Sequence, residues 1–89
     1  MKKIPKFSSR KKHNKIHQKT LYLINDEYNT FDYVIDCLVT MCDHDEIQAE
    51  QCTLLTHYKG SCEIAIGKEL DLVLLKEDLI LYGLNVEIR

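Results

Sequence analysis

A chain of 89 residues forms one small domain, with room for a shallow pocket and a docking face but not for a deep catalytic cleft. Its net charge of −2 conceals an asymmetry, because eight of the 12 basic residues and none of the 14 acidic residues lie in residues 1–19. No run approaches the roughly 20 apolar residues that span a bilayer, and no apolar segment follows the first lysines as in a secretory signal, so we expect a cytoplasmic protein with reduced cysteines.

Residues 1–19 show no hydrophobic periodicity and contain few large apolar side chains. They cannot offset the entropy cost of ordering, so we predict a disordered basic N-terminal extension. Residues 20–89 are then the folded core domain. A basic extension on an acidic body either has a partner of its own or only keeps the protein soluble.

The folded part begins with the apolar, β-prone run 20–24, which predicts a largely buried strand. Asn25, Asp26 and Glu27 form the turn that ends it. We predict that Asn29 caps a first helix, with Asp32 as its partner, and that this helix ends near Cys42. Apolar residues at helical spacing define its buried face, namely Phe31, Val34, Ile35 and Leu38.

A second helix follows, with a capping box formed by Asp43 and Glu46 or by Asp45 and Gln48. Gly60 predicts a left-handed stop at its C-terminal end. We expect its buried face to be formed by Ile47, Gln51, Leu54, Leu55 and Tyr58.

The remaining elements are a strand over 62–66 broken by Gly67, a third helix over 68–82 ended by Gly83, and a strand over 84–88. The order is therefore β-α-α-β-α-β. This order predicts an α+β fold, in which a three-stranded antiparallel sheet packs on helices at one side.

Two polar features are candidates for a common site. Asn25 and Asp26 follow the first strand, where loops often carry function, although both residue types also form ordinary turns. His57 lies late in the second helix, where a lone histidine is more often a surface or packing residue. If that helix packs beside the strand end, the three side chains offer an amide oxygen, a carboxylate and an imidazole nitrogen to an ammonium group, which has only donors. A peptide α-amine, mostly protonated at neutral pH, is such a ligand.

Four features of the sequence form a pattern: the apolar strand with N-D-E-Y at 25–28, the segment 31–38, Ala49-Glu50, and H-Y-K-G at 57–60. Together they resemble the motifs of the ClpS family, whose members are adaptors for ATP-dependent Clp proteases. It covers residues 20–67 well and the rest loosely. The two tetrapeptides at this separation are more specific than either one alone.

The resemblance implies an adaptor of the N-end rule rather than an enzyme, without a cofactor or metal. Such an adaptor binds N-degron substrates that begin with Leu, Phe, Tyr or Trp and passes them to a Clp AAA+ unfoldase of the ClpA or ClpC type. It implies that Asn25, Asp26 and His57 contact the α-amine, that Asn29 contacts the ligand backbone, and that the extension engages the unfoldase. The implied walls of the side-chain pocket are Leu23, Phe31, Val34, Thr53, Thr56 and Val86.

Two departures from the family pattern concern specificity and docking. Thr53 and Thr56 stand where the family usually has Met and Val, so we expect a more polar pocket that tolerates aromatic first residues. After Gly60 the family usually has a longer hairpin with an A-E-x-K stretch that helps docking. This chain runs from Ile66 directly into Lys68-Glu69-Leu70, so that stretch has no match and the docking residues stay open.

Other functions fit the sequence less well. The basic extension would suit nucleic acid through phosphate contacts, but its one aromatic residue is Phe7 and the acidic body would oppose a duplex.

A zinc site would need ligands among Cys37, Cys42, His44, Cys52 and His57, whose spacing matches no usual pattern. A thiol enzyme is disfavoured because Cys52 and His57 are five residues apart on one helix. A domain like those of the ribosomal stalk would share the element order but leave the polar cluster unexplained. We expect a monomer.

Overall fold

The computed structural model describes residues 18–89, which form helices and strands in the order β-α-α-β-α-β. The elements are β1 Gln18–Ile24, α1 Phe31–Met41, α2 Glu46–Lys59, β2 Ser61–Lys68, α3 Glu69–Leu81 and β3 Val86–Ile88. This confirms the predicted α+β class and order. Most of the predicted disordered extension, residues 1–17, lies outside the described residues. Gln18 and Lys19 already belong to β1, so the strand begins two residues before its predicted start.

The three strands described form an antiparallel sheet with β1 between β2 and β3. Leu21 and Leu23 of β1 are buried on one face of the sheet, where the helices pack. The pairing of β1 with β2 ends with Ile24 opposite Ser61, and Ser61 comes directly after the glycine that ends α2. The end of β1 and the C-terminal end of α2 therefore lie side by side.

A β-bulge interrupts the pairing of β1 with β2. Leu21 lies opposite Ala65 and Tyr22 lies opposite Glu63, so Ile64 is the extra residue of β2. The bulge turns the Ile64 side chain into the core, where it is buried. Its backbone carbonyl accepts a hydrogen bond from Nε2 of the buried His44 at 3.0 Å, which compensates for the ladder bond that the bulge removes.

The helix ends use local chemistry that differs in part from the prediction. The N-cap of α1 is Thr30, whose hydroxyl accepts from the backbone N–H of Tyr33 at 3.2 Å; the assignment of Asn29 as the cap was wrong. Asp45 caps α2, because its side chain accepts a hydrogen bond from the backbone N–H of Gln48 at 2.7 Å; of the two predicted caps, the structure therefore has Asp45. Gly60 ends α2 with φ +98°, which confirms the predicted left-handed stop.

The predicted buried face of α2 was wrong. Ile47 and Tyr58 are 73% and 79% exposed. The buried side chains are instead small ones, namely Ala49, Cys52, Thr53 and Thr56. The helix lies close to the sheet and to α1, and only small side chains fit at that approach. The spacing of the large apolar residues therefore predicted the wrong face of α2, one that is largely exposed to solvent.

The third helix completes the core. Leu72 and Leu79 are buried against the sheet, together with Leu84 in the turn that follows. Gly67 was predicted to break the second strand but lies within β2, so that strand continues to Lys68. In residues 18–89, no helix combines the length and the apolar character that crossing a bilayer requires.

Candidate functional site

A cavity of about 240 Å³ lies where the end of β1 meets the C-terminal end of α2. Its walls come from β1, from the loop that follows, from the first turn of α1 and from the last two turns of α2. Nine of the ten predicted site residues line it: Leu23, Asn25, Asp26, Asn29, Phe31, Val34, Thr53, Thr56 and His57. The fold thus brings together side chains that are up to 34 positions apart in the sequence.

The loop after β1 is held in one conformation by Asp26. Its Oδ1 accepts hydrogen bonds from the backbone N–H groups of Tyr28 at 2.9 Å and Asn29 at 3.0 Å. At the start of the loop, the backbone N–H of Asn25 donates to the carbonyl of Gly60 at 3.0 Å. The loop is therefore fastened to the end of α2, which carries His57.

Asn29 fastens the same loop to the turn after α3. Its Nδ2 donates to Oδ2 of Asp26 at 3.0 Å and to the backbone carbonyl of Gly83 at 2.9 Å. Gly83 lies in the turn after α3, where it has φ +90°. Because Thr30 caps α1, the Asn29 side chain is free to make this bridge.

The Asp26 carboxylate is the negative group of the site. Partial burial raises the pKa of this carboxyl, but the hydrogen bonds from the backbone of Asn29 and Tyr28 and from the Asn29 amide outweigh burial and bring the pKa below its ordinary value. The carboxylate is therefore ionised at neutral pH. Each carboxylate oxygen can accept two hydrogen bonds, and Oδ2 accepts one from Asn29, so one acceptor position of Oδ2 stays open for a cation.

His57 stands at the rim of the cavity in the last turn of α2 and is exposed. Its ring packs against Phe31 in a T-shaped arrangement, with ring centroids 5.4 Å apart and an interplanar angle of 70°. A second edge contact joins it to Tyr58, at 5.1 Å and 75°. These contacts orient the imidazole of His57 beside the polar loop. The imidazole, whose nitrogens can form hydrogen bonds, thus touches a side chain that lines the apolar wall.

The two threonines on the floor of the cavity present a less polar surface than their residue type suggests. The Thr53 hydroxyl donates to the carbonyl of Ala49 at 2.8 Å, and the Thr56 hydroxyl donates to the carbonyl of Cys52 at 2.9 Å. Both donors are therefore directed into α2 and are not available to a ligand. Together with Leu23, Phe31 and Val34, they form a surface that suits an apolar group.

One predicted wall residue lies elsewhere, and two lining residues were not predicted. Val86 is buried opposite Leu23 and lines an adjoining groove instead of this cavity. The reason is the strand order, since β3 lies on the far side of β1 from β2 and α2. Ile24 and Glu27 also line the cavity. Their positions directly before and after Asn25-Asp26 could have indicated this in the sequence.

The cysteines form a separate feature. Cys37, Cys42, Cys52 and Cys62 are free thiols. Burial raises the pKa of Cys42 to about 11, and burial together with the neighbouring Cys62 raises the pKa of Cys52. Within the described part of the chain, no three His, Cys, Asp or Glu side chains are grouped so that they could hold a metal ion.

Comparisons with known proteins identify the family of this chain. A family model described as ATP-dependent Clp protease adaptor protein ClpS matches residues 11–83. No curated protein matches the sequence. Among solved structures, the chain is similar to that of Agrobacterium tumefaciens ClpS2 bound to L-phenylalaninamide, with a TM-score of 0.65 and 15% identity, over 82% of this chain and 98% of that chain. At that identity the likeness shows a common fold. The family model spans most of the chain and every residue of the cavity, so the chain belongs to the ClpS family of ATP-dependent Clp protease adaptor proteins.

Proposed function

We propose that this chain binds the free α-amine and the bulky hydrophobic first side chain of N-degron substrates and delivers them to a Clp AAA+ unfoldase of the ClpA or ClpC type in the cytoplasm. The proposal rests on one observation above all, which is that Asn25, Asp26 and His57 line the same partly apolar cavity. The substrates are proteins that begin with Leu, Phe, Tyr or Trp.

The polar rim is suited to an ammonium group. A peptide α-amine has a pKa of about 7.7–8.0, so it is mostly protonated at neutral pH and offers only donors. The rim supplies the ionised carboxylate of Asp26, the side-chain oxygen of Asn25 and the imidazole of His57. Hydrogen bonds to a charged group contribute about 1.5–3 kcal/mol each, so acetylation of the amine should abolish most of the affinity.

The apolar interior is suited to the first side chain. Leu23, Phe31 and Val34 line it, and the threonine hydroxyls are bonded within α2. Burial of an apolar side chain contributes about 25 cal/mol for each Å² removed from water. L-Phenylalaninamide, the ligand of the Agrobacterium tumefaciens ClpS2 structure, combines a free α-amine with an aromatic first side chain, which is the chemistry that this cavity would accept.

Delivery is the part of the proposal that rests on membership of the family. The matched family model is that of a Clp protease adaptor, which supports a Clp unfoldase as the partner. Residues 1–17 carry seven lysine and arginine residues and no acidic residue, and we assign contact with the unfoldase to them. The folded body contributes the cavity that holds the substrate.

Fluorescence anisotropy with matched peptides that begin with Leu, Phe, Met or acetyl-Leu tests binding. We expect tight binding of the Leu and Phe peptides and at least tenfold weaker binding of acetyl-Leu. Asp26→Asn, which keeps the side-chain shape, and His57→Ala should each weaken binding of the Leu peptide by about tenfold or more. Asp71→Asn, at an exposed position of α3, is the matched control and should bind normally.

Equal and weak binding of all four peptides would reject the adaptor function. The alternative is then that the basic residues 1–17 bind nucleic acid, and such binding should weaken steeply with salt. Delivery is tested separately, by degradation of a fluorescent protein with an N-terminal Phe in the presence of a Clp unfoldase and its peptidase. Replacement of the basic residues in 1–17 by serine should stop degradation while peptide binding is retained.

A further inference from the structure

A second concavity adjoins the cavity of the proposed function. It has a volume of about 410 Å³ and lies between the loop after β1, the end of α3 and the start of β3. We call it the Tyr28 groove; its lining includes Asp26, Tyr28, Ile80, Gly83, Asn85 and Val86.

The groove and the cavity are contiguous. Asp26 lines both, and the bridge from Asn29 to Asp26 and to the carbonyl of Gly83 forms the wall between them. A polypeptide whose α-amine lies at Asp26 must continue along this boundary. An extended chain advances about 3.3 Å per residue, so residues two to four of a substrate span about 10 Å beyond the first residue.

The groove exposes one apolar side chain that is almost fully in solvent and one that is about half in solvent. Tyr28 is 93% exposed and Ile80 is 51% exposed. Single exposed apolar residues are common on protein surfaces. These two differ because they line the same concavity beside the proposed ligand site, and apolar surface in that setting marks a contact with a partner.

The groove also offers backbone groups. Thr20 and Arg89 exchange both backbone hydrogen bonds, at 3.0 and 2.8 Å, and hydrogen-bonded pairs alternate with non-hydrogen-bonded pairs along an antiparallel ladder. Val86, opposite Leu23, is therefore in a non-hydrogen-bonded pair, and its N–H and C=O point away from β1. In the sheet of residues 18–89, β3 is an edge strand, so these groups can pair with an added extended segment.

We propose that the Tyr28 groove binds residues two to four of the polypeptide whose first residue occupies the cavity, in an extended conformation along β3. The proposal rests on the proposed function and adds a sequence preference to it. Tyr28 and Ile80 select apolar side chains in that segment. Substrates with the same first residue therefore bind with different affinities according to the residues that follow.

Competition anisotropy with three ligands that share their first residue tests this preference. Phenylalaninamide cannot reach the groove, whereas Phe-Ser-Ser-Ser and Phe-Val-Leu-Val can. We expect Phe-Val-Leu-Val to bind the full chain about tenfold more tightly than Phe-Ser-Ser-Ser. Tyr28→Ser and Ile80→Ser should each reduce that ratio to about threefold or less and leave phenylalaninamide affinity unchanged. Leu70→Ser, which removes an apolar side chain that is 71% exposed at the start of α3, should keep the full ratio.

The three ligands separate the two hypotheses. Equal affinity of both tetrapeptides, or an unchanged ratio in both groove variants, would overturn the groove assignment, while phenylalaninamide binding would still support the proposed function. No binding of phenylalaninamide would overturn the proposed function, and the groove assignment with it.

Discussion

Replacement of Asn29 tests how the site is built. Its Nδ2 holds Oδ2 of Asp26 at 3.0 Å and the carbonyl of Gly83 at 2.9 Å, and the second bond joins residues 54 positions apart. Asn29→Ala removes both bonds. A side-chain hydrogen bond contributes about 1 kcal/mol net, and the bond to Gly83 is exposed, so water can replace it. We expect the free energy of unfolding to fall by about 1–2 kcal/mol.

Asn29→Asp keeps the shape but removes both donors and adds a negative charge beside Asp26. Two unit charges about 4 Å apart repel by about 1–4 kcal/mol at the dielectric constants of a protein surface. We therefore expect this variant to be about 1–2 kcal/mol less stable than Asn29→Ala at pH 7. Protonation removes the repulsion, so the difference between the two variants should shrink as the pH falls below about 4.

Urea unfolding followed by circular dichroism at pH 7 and at pH 3.5 measures both differences. Gln51→Glu is the matched control, because it makes the same amide-to-acid change at an exposed position of α2, and it should change stability by less than about 0.5 kcal/mol. Equal stability of Asn29→Asp and Asn29→Ala at pH 7, or a difference that does not depend on pH, would refute the role of Asn29 as a bridge to an ionised Asp26.

Three further predictions concern α2 and the thiols. Thr53→Val keeps the shape of the cavity and removes a hydroxyl that is bonded to the carbonyl of Ala49 and directed away from the ligand. The free energy of unfolding should therefore change by less than about 1 kcal/mol, and the affinity for peptides beginning with Leu should change by less than about twofold; a larger change in an anisotropy titration would contradict this. Burial raises the pKa of Cys42 to about 11 and also raises the pKa of Cys52, so both thiols stay neutral in the folded state at a pH where the unfolded chain ionises them. The free energy of unfolding should therefore fall as the pH rises above about 9. Urea titrations should show this fall, and it should be smaller in Cys42→Ala. Gly60→Ala should lower the free energy of unfolding by about 1 kcal/mol because the backbone at this position has φ +98°, which alanine rarely adopts. No atom lies near the added Cβ, so a steric clash adds nothing to this loss. A stability equal to that of the parent chain would show that the left-handed cap is not needed.

The order of elements was predictable because it depends on local chemistry. An apolar, β-prone run indicated β1, and alternating apolar residues indicated β2 and β3. Gly60 marked the end of α2, and Asp45 was one of its two predicted caps. The exception was Asn29, which is a good cap by residue type but stands one position before the actual cap, Thr30. Both residues fit an N-cap, and only the distant carbonyl of Gly83 shows why the Asn29 side chain has a different partner.

The buried face of α2 could not be predicted from hydrophobic periodicity. That method assumes that the largest apolar residues point inward. Here the close approach of α2 to the sheet requires small side chains, so Ala49 and Cys52 are buried while Ile47 and Tyr58 face solvent. The same approach buries Thr53, whose hydroxyl satisfies its bonding within the helix.

The sequence by itself determined the class of fold and suggested the chemistry of the ligand that we propose. Side chains with an amide, a carboxylate and an imidazole are acceptors for an ammonium group wherever they stand, and their motif spacing resembled one family of adaptors. Only the tertiary structure decided that Asn25, Asp26 and His57 share one rim, because that depends on Ile24 pairing with Ser61 at the end of α2. It also separated Val86 from the cavity, because strand order is set by contacts between residues far apart in the chain.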